Sequence, residues 1–127
     1  MIFEHFALNV TSPKEHATWY VKYCSMKIVK SLNDYPFTHF LSDESGRIIL
    51  ELYSNNSSTV PDYFELNPLQ FHFAFECSGL DETKLKLLNA GATLVEEINL
   101  PDGSQVVMLR DPFGVPFQLC KRSDTFF

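Results

Sequence analysis

Two histidines, a glutamate and a glutamine stand at matched positions in the two halves of the chain. His5-Phe6-Ala7-Leu8 returns 67 residues later as His72-Phe73-Ala74-Phe75. Glu51-Leu52-Tyr53 returns at the same offset of 67 as Gln118-Leu119-Cys120, so each half holds a histidine and, 46 positions on, a Glu or Gln. Repetition at a fixed offset points to a duplicated structural unit. If the two units are related by a pseudo-twofold axis, equivalent sheet faces meet and His5, Glu51, His72 and Gln118 converge. Two imidazole nitrogens and two side-chain oxygens suit a divalent ion such as zinc, nickel, iron or manganese. Glu51 is then the one carboxylate able to carry a proton, because an amide can ligate through its carbonyl but cannot act as a carboxylate base. Glu51 also lies between apolar neighbours, where an unpaired charge is costly; a metal ion would relieve the cost, and pairing with Arg47 or Lys121 at the surface is the alternative.

The elements that must position these side chains have the same order in each half. A β-favouring run over 2–10 predicts a first strand in which His5 shares a face with Phe3, Ala7 and Asn9. Ser12-Pro13-Lys14-Glu15 reads as a helix start, with a capping serine and proline at the first helical position. Ala17, Tyr20, Val21 and Cys24 form the inward stripe, with Trp19 and Tyr23 beside it. His16, among polar neighbours, is expected in solvent. Strands follow over 27–31, 37–42 and 47–53, completing a βαβββ unit. The second unit repeats the pattern. Its strand covers 71–77 and its helix 81–90, with Leu85 and Leu88 facing inward and Gly91 closing the helix. Strands over 93–98, 105–110 and 115–121 complete it, with Pro116 at an edge or strand start. The repeated turn, Asp43-Glu44-Ser45-Gly46 and Asp111-Pro112-Phe113-Gly114, is offset by 68 instead of 67, so a bulge or longer turn must absorb one residue. The expected organisation is a single domain over 1–127: a first module at 1–53, a connection at 54–68, a second module at 69–122 and a tail at 123–127.

Composition narrows the function. A net charge of -6 disfavours nucleic acid as a partner. No apolar run reaches the length needed to span a bilayer, and Glu4 stands where a secretory leader would be basic; a cytoplasmic protein without membrane attachment is expected. The three cysteines, Cys24, Cys77 and Cys120, form an odd set within apolar or amphipathic stretches, which fits reduced thiols. None has an adjacent base or CxxC spacing, so cysteine nucleophilic catalysis is not expected. Small molecules, as substrate, and other proteins remain as expected partners.

The combination FEHFALNVTSPKEHATWYVKYCSMKIVK, SGRIILELY, FHFAF and VVMLRDPFGVPFQLCKR resembles the vicinal oxygen chelate superfamily over nearly the whole chain. That superfamily includes glyoxalase I, the fosfomycin and bleomycin resistance proteins and the extradiol dioxygenases. The resemblance implies an α+β fold in which two βαβββ modules form a half-open barrel. It places metal ligands on the first and last strands of each module, at the positions of His5, Glu51, His72 and Gln118. It further implies a metal-dependent enzyme of lyase or isomerase type, acting on a small substrate that chelates the ion through vicinal oxygens. Glu51 would move the proton, and a homodimer would cover the open sheet edges. Gln118 departs from the glutamate usual in glyoxalase I and dioxygenase relatives, and leaves open whether it ligates or only hydrogen-bonds. The alternatives are a metal-free binding protein of bleomycin-resistance type, with Phe37, Tyr53, Phe73 and Phe117 as aromatic walls, or a dioxygenase-like relative. His39 either lines the cavity or packs in the core. Arg110 either fixes the last turn with Asp111 or meets an anionic substrate.

Overall fold

The computed structural model describes residues 1–126; Phe127, the last residue of the expected tail, lies outside them. The chain divides into two compact units, Met1–Pro61 and the residues from Asp62 on. Each contains one helix and a four-stranded sheet, giving the α+β class expected.

In the first unit the order is β1 (Phe6–Asn9), α1 (Pro13–Tyr23), β2 (Lys27–Ser31), β3 (His39–Ser42) and β4 (Ile48–Tyr53). The sheet order is β1-β4-β3-β2, with β1 parallel to β4 and the other pairs antiparallel. Leu41, Leu50 and Leu52 are fully buried on the face that α1 covers with Ala17 and Tyr20. Burying each leucine contributes about 1.5–3 kcal/mol, so this face fixes the strand register. The second unit repeats the plan with β5 (Phe73–Glu76), α2 (Leu80–Asn89), β6 (Thr93–Asn99), β7 (Gln105–Arg110) and β8 (Pro116–Lys121), in sheet order β5-β8-β7-β6. Pro116 opens β8, where no ladder donor is lost.

The offset of 67 is structural. Ala7 pairs with Glu51 and Ala74 with Gln118, so the duplicated residues occupy duplicated ladder positions. The extra residue is absorbed by a bulge: Leu41 pairs with Leu50 and Ser42 with Ile48, leaving Ile49 unmatched. The β7–β8 ladder runs without a shift.

Several expectations are corrected. Strand β1 starts at Phe6, so His5 immediately precedes it. Ser12 makes no side-chain capping bond, although Pro13 does open α1. His16 is buried and stacked on Tyr20, with ring centroids 5.5 Å apart. Pro13, His16 and Tyr20 recur at three- and four-residue intervals, and this spacing places the ring on the inner stripe despite its polar neighbours. Val21 is exposed. In α2 the buried residues are Leu80 and Leu87, while Leu85 points to solvent. Gly91 closes α2 as expected: at φ +98 it follows Ala90, its N–H donates to the Leu88 carbonyl and that of Ala92 to Leu87.

Candidate functional site

The ladder places Glu51 between Ala7 on β1 and Phe40 on β3. Alternation therefore sets His5, Ala7, Phe40 and Glu51 on one face, opposite the leucine-lined face under α1. On that face His5 Nε2 stands 3.1 Å from Glu51 Oε2, with the side chains 28% and 20% exposed. The edge of one ring meets the face of the other between His5 and Phe40, at 5.5 Å and 79°. The imidazole is thus held between a carboxylate and an aromatic ring. Its Nδ1 is buried and makes no hydrogen bond; Glu4 Oε1 lies 3.3 Å away, in ion-pair range but outside hydrogen-bond geometry.

The second unit holds its two candidates differently. His72 immediately precedes β5 and is exposed, and its Nδ1 donates to the Pro68 carbonyl at 2.7 Å. A carbonyl only accepts, so Nδ1 carries the hydrogen, and in the neutral ring Nε2 then keeps its lone pair. Gln118 is half-buried on β8, and its Oε1 accepts a long contact of 3.7 Å from the Cys120 thiol. Its ladder partner Ala74 shares a strand face with His72.

The remaining candidates take other roles. His39 is buried on the face of Leu41 and Leu52, with Nδ1 donating to the Phe37 carbonyl at 2.7 Å; it packs in the core. Arg110 spends its guanidinium on backbone: Nη1 donates to the Tyr63 and Gly114 carbonyls at 2.7 and 3.1 Å, and Nη2 to Leu66 at 2.7 Å. Asp111, fully buried, accepts the Phe113 and Val115 amides. Both residues fix the last turn and the segment before β5. Phe117 is fully buried and stacked on Phe73, with centroids 6.1 Å apart, so it forms core and not an aromatic wall.

A glyoxalase-like domain family matches residues 5–120. The chain belongs to that family. Its fold is that of the vicinal oxygen chelate superfamily, as the solved structures it resembles agree. An antibiotic-binding protein, TnmS3 from Streptomyces, superposes with a TM-score of 0.74 at 15% identity, covering 97% of each chain. The fosfomycin resistance protein FosX from Listeria monocytogenes gives 0.72 at 17%, covering 97% of this chain and 94% of that one. A lactoylglutathione lyase from Agrobacterium tumefaciens gives 0.70 at 21%, covering 94% and 92%. No curated protein matches the sequence.

Members of this family typically use a divalent metal, and the donor chemistry can be tested against one. Two donors in neighbouring positions around an ion, each at about 2.0–2.2 Å, stand roughly 3 Å apart. The 3.1 Å between His5 Nε2 and Glu51 Oε2 fits that spacing. The free Nε2 of His72, with Nδ1 tied to a carbonyl, has the arrangement usual in a metal-binding imidazole. Among the described residues no three or more His, Cys, Asp or Glu side chains form a metal-holding group. The fit therefore rests on a pair of donors in the first unit and a tautomer in the second. Among the described residues, no helix is long and apolar enough to cross a membrane.

Proposed function

We propose that this glyoxalase-like protein is a divalent-metal-dependent enzyme of lyase or isomerase type, acting on a small substrate that presents adjacent oxygens. The observation carrying the reading is the His5–Glu51 pair, two half-buried donors held 3.1 Å apart on the exposed side of a rigid sheet. His5, Glu51 and His72 would hold the ion, with Gln118 either a fourth ligand or a hydrogen-bond partner. A bound ion supplies Lewis-acid polarisation of a substrate oxygen, which makes the neighbouring C–H more acidic. Glu51 is the single carboxylate of the set, and a proton moved between adjacent carbons is carried at its carboxyl oxygens. Phe40 excludes water from one side of His5 and keeps the imidazole beside that carboxylate. A two-imidazole, one-carboxylate, one-amide set carries less negative charge than one with two carboxylates. It would bind a divalent ion less tightly and leave it more electrophilic. The same substitution weighs against dioxygenase chemistry, whose facial triad uses the carboxylate that Gln118 replaces.

The test is metal analysis of purified, metal-reloaded protein. About one equivalent of zinc, nickel, manganese or iron, with a rise in Tm on loading, is expected. Glu51→Gln, which keeps the shape, should lower affinity about a hundredfold or more, beyond the usual cost of losing an outer-shell partner. Reloaded protein that holds no metal and gains no stability would defeat the reading.

A second reading is favoured by Tyr35 and Phe37, both exposed, whose rings pack edge to face at 6.4 Å while Phe37 adopts φ +57. Exposed rings held in a strained backbone suit the capture of an apolar small molecule without metal. Binding of such a molecule that is indifferent to chelator and to Glu51→Gln would favour it. Residence in the cytoplasm and a homodimer belong to the proposal too; the outer strands β2 and β6 are exposed along their whole length, and a second copy could cover such edges.

A further inference from the structure

We infer that the turn Asn67–Gln70 is a positioning element of the site: it sets the His72 tautomer, so that Nε2 is offered as a bare lone pair. The inference rests on the metal-binding reading of His72 and adds what holds that ring ready. Three contacts build the device. Asn67 Oδ1 accepts the Leu69 amide at 2.9 Å, and the Gln70 amide donates to the Asn67 carbonyl, also at 2.9 Å. Between them Pro68, with φ restricted by its ring, directs its carbonyl at His72 Nδ1, 2.7 Å away. A free imidazole in water exchanges its proton between both nitrogens. A fixed carbonyl acceptor at Nδ1 favours the tautomer with hydrogen on that atom, leaving Nε2 for a cation.

The contrast with the first unit shows that this is not a by-product of the repeat. His5, at the equivalent position just before β1, has no hydrogen-bond partner at Nδ1 and turns Nε2 to Glu51 instead. The two imidazoles are oriented by different means, one by a side chain and one by a backbone carbonyl. Asn67, Leu69 and Gln70 are exposed, so replacing Asn67 leaves the core untouched.

The experiment is long-range nitrogen–proton NMR of the imidazoles in the metal-free full chain at about pH 8.5, well above the ordinary histidine pKa. His72→Gln assigns the signal. The wild-type protein is expected to show His72 protonated at Nδ1. Asn67→Ala and Pro68→Gly should each shift it toward a tautomer mixture and weaken Ni²⁺ binding, by calorimetric titration, about tenfold. A wild-type His72 protonated at Nε2 would overturn the inference. So would turn variants that leave both tautomer and affinity unchanged. If the wild-type protein bound no Ni²⁺, the metal reading would fall by itself, and the spectrum of the metal-free chain would still uphold or overturn the role of the turn.

Discussion

The two βαβββ units share sheet order, the register of their parallel ladders and even the last turn, yet they commit their polar side chains differently. In the first unit, side chain meets side chain on the open sheet face: His5 with Glu51, and Phe40 against the imidazole. In the second, side chain meets backbone: His72 with the Pro68 carbonyl, Arg110 with three carbonyls, Asp111 with two amides. Duplication conserves what the backbone ladder dictates and leaves side-chain roles free to part. The first unit keeps the carboxylate. The second uses its charged groups to fasten the segment that leads into β5.

The sharpest way to break this comparison is one substitution made in both units. Gly46 and Gly114 occupy the same turn, at φ +86 and +95, with each amide donating to the carbonyl of the turn's aspartate. A Cβ on Gly46 would meet nothing within 4 Å, whereas one on Gly114 would lie 2.7 Å from the Phe64 backbone nitrogen. Gly46→Ala should therefore cost only the positive-φ strain, about 1 kcal/mol. Gly114→Ala must also displace backbone, and should cost about 3 kcal/mol or more. Urea midpoints at unchanged m-value measure both. Equal costs would mean the 62–66 segment is not held against the turn. Arg110→Lys comes next. Lysine keeps the charge but not the fork that reaches three carbonyls, so a loss of about 2 kcal/mol is expected in the same measurement.

These contacts also mark where sequence reading succeeds and stops. The order of elements along the chain and the repeat were legible, because alternation, turn residues and a fixed offset are properties of neighbours along the chain. The one-residue mismatch between offsets called for a bulge or a longer turn, and the structure resolves it as the bulge at Ile49. The sequence grouped His5 with Glu51 through the repeat alone; their 3.1 Å approach within one unit comes from β1 lying beside β4. The turn-fixing role of Arg110 was legible as well, but its bonds to Tyr63 and Leu66 were not, since backbone carbonyls of a loop leave no signature in residue type. The Pro68 carbonyl beside His72 was hidden for the same reason. Leu85 was misplaced because it and Leu88 are spaced as regularly as the true inner pair, Leu80 and Leu87; only packing of α2 against β8 decides between the faces. His16 was misread by its polar neighbours, although its spacing from Pro13 and Tyr20 carried the answer.

A smaller effect sharpens the comparison at Gln118, which stands where the first unit has the carboxylate of Glu51. Gln118→Glu makes the second unit match the first, and under the metal reading it should raise divalent-ion affinity about tenfold. The Cys120 thiol, 3.7 Å from Gln118 Oε1, reports on that change from within the same unit. Burial raises its pKa, the Arg122 charge lowers it somewhat, and Glu76 raises it again. It is only 3% exposed, while Cys24 and Cys77 are half-buried. Iodoacetamide should accordingly modify Cys120 last of the three. A carboxylate at position 118 adds a further like charge beside the thiolate and should slow that reaction by another few-fold. Adding Ni²⁺ should reverse the slowing if the new carboxylate binds the ion, because its charge is then neutralised. Slowing that persists at saturating Ni²⁺ would place residue 118 outside the ligand set and leave it a hydrogen-bond partner of Cys120 alone.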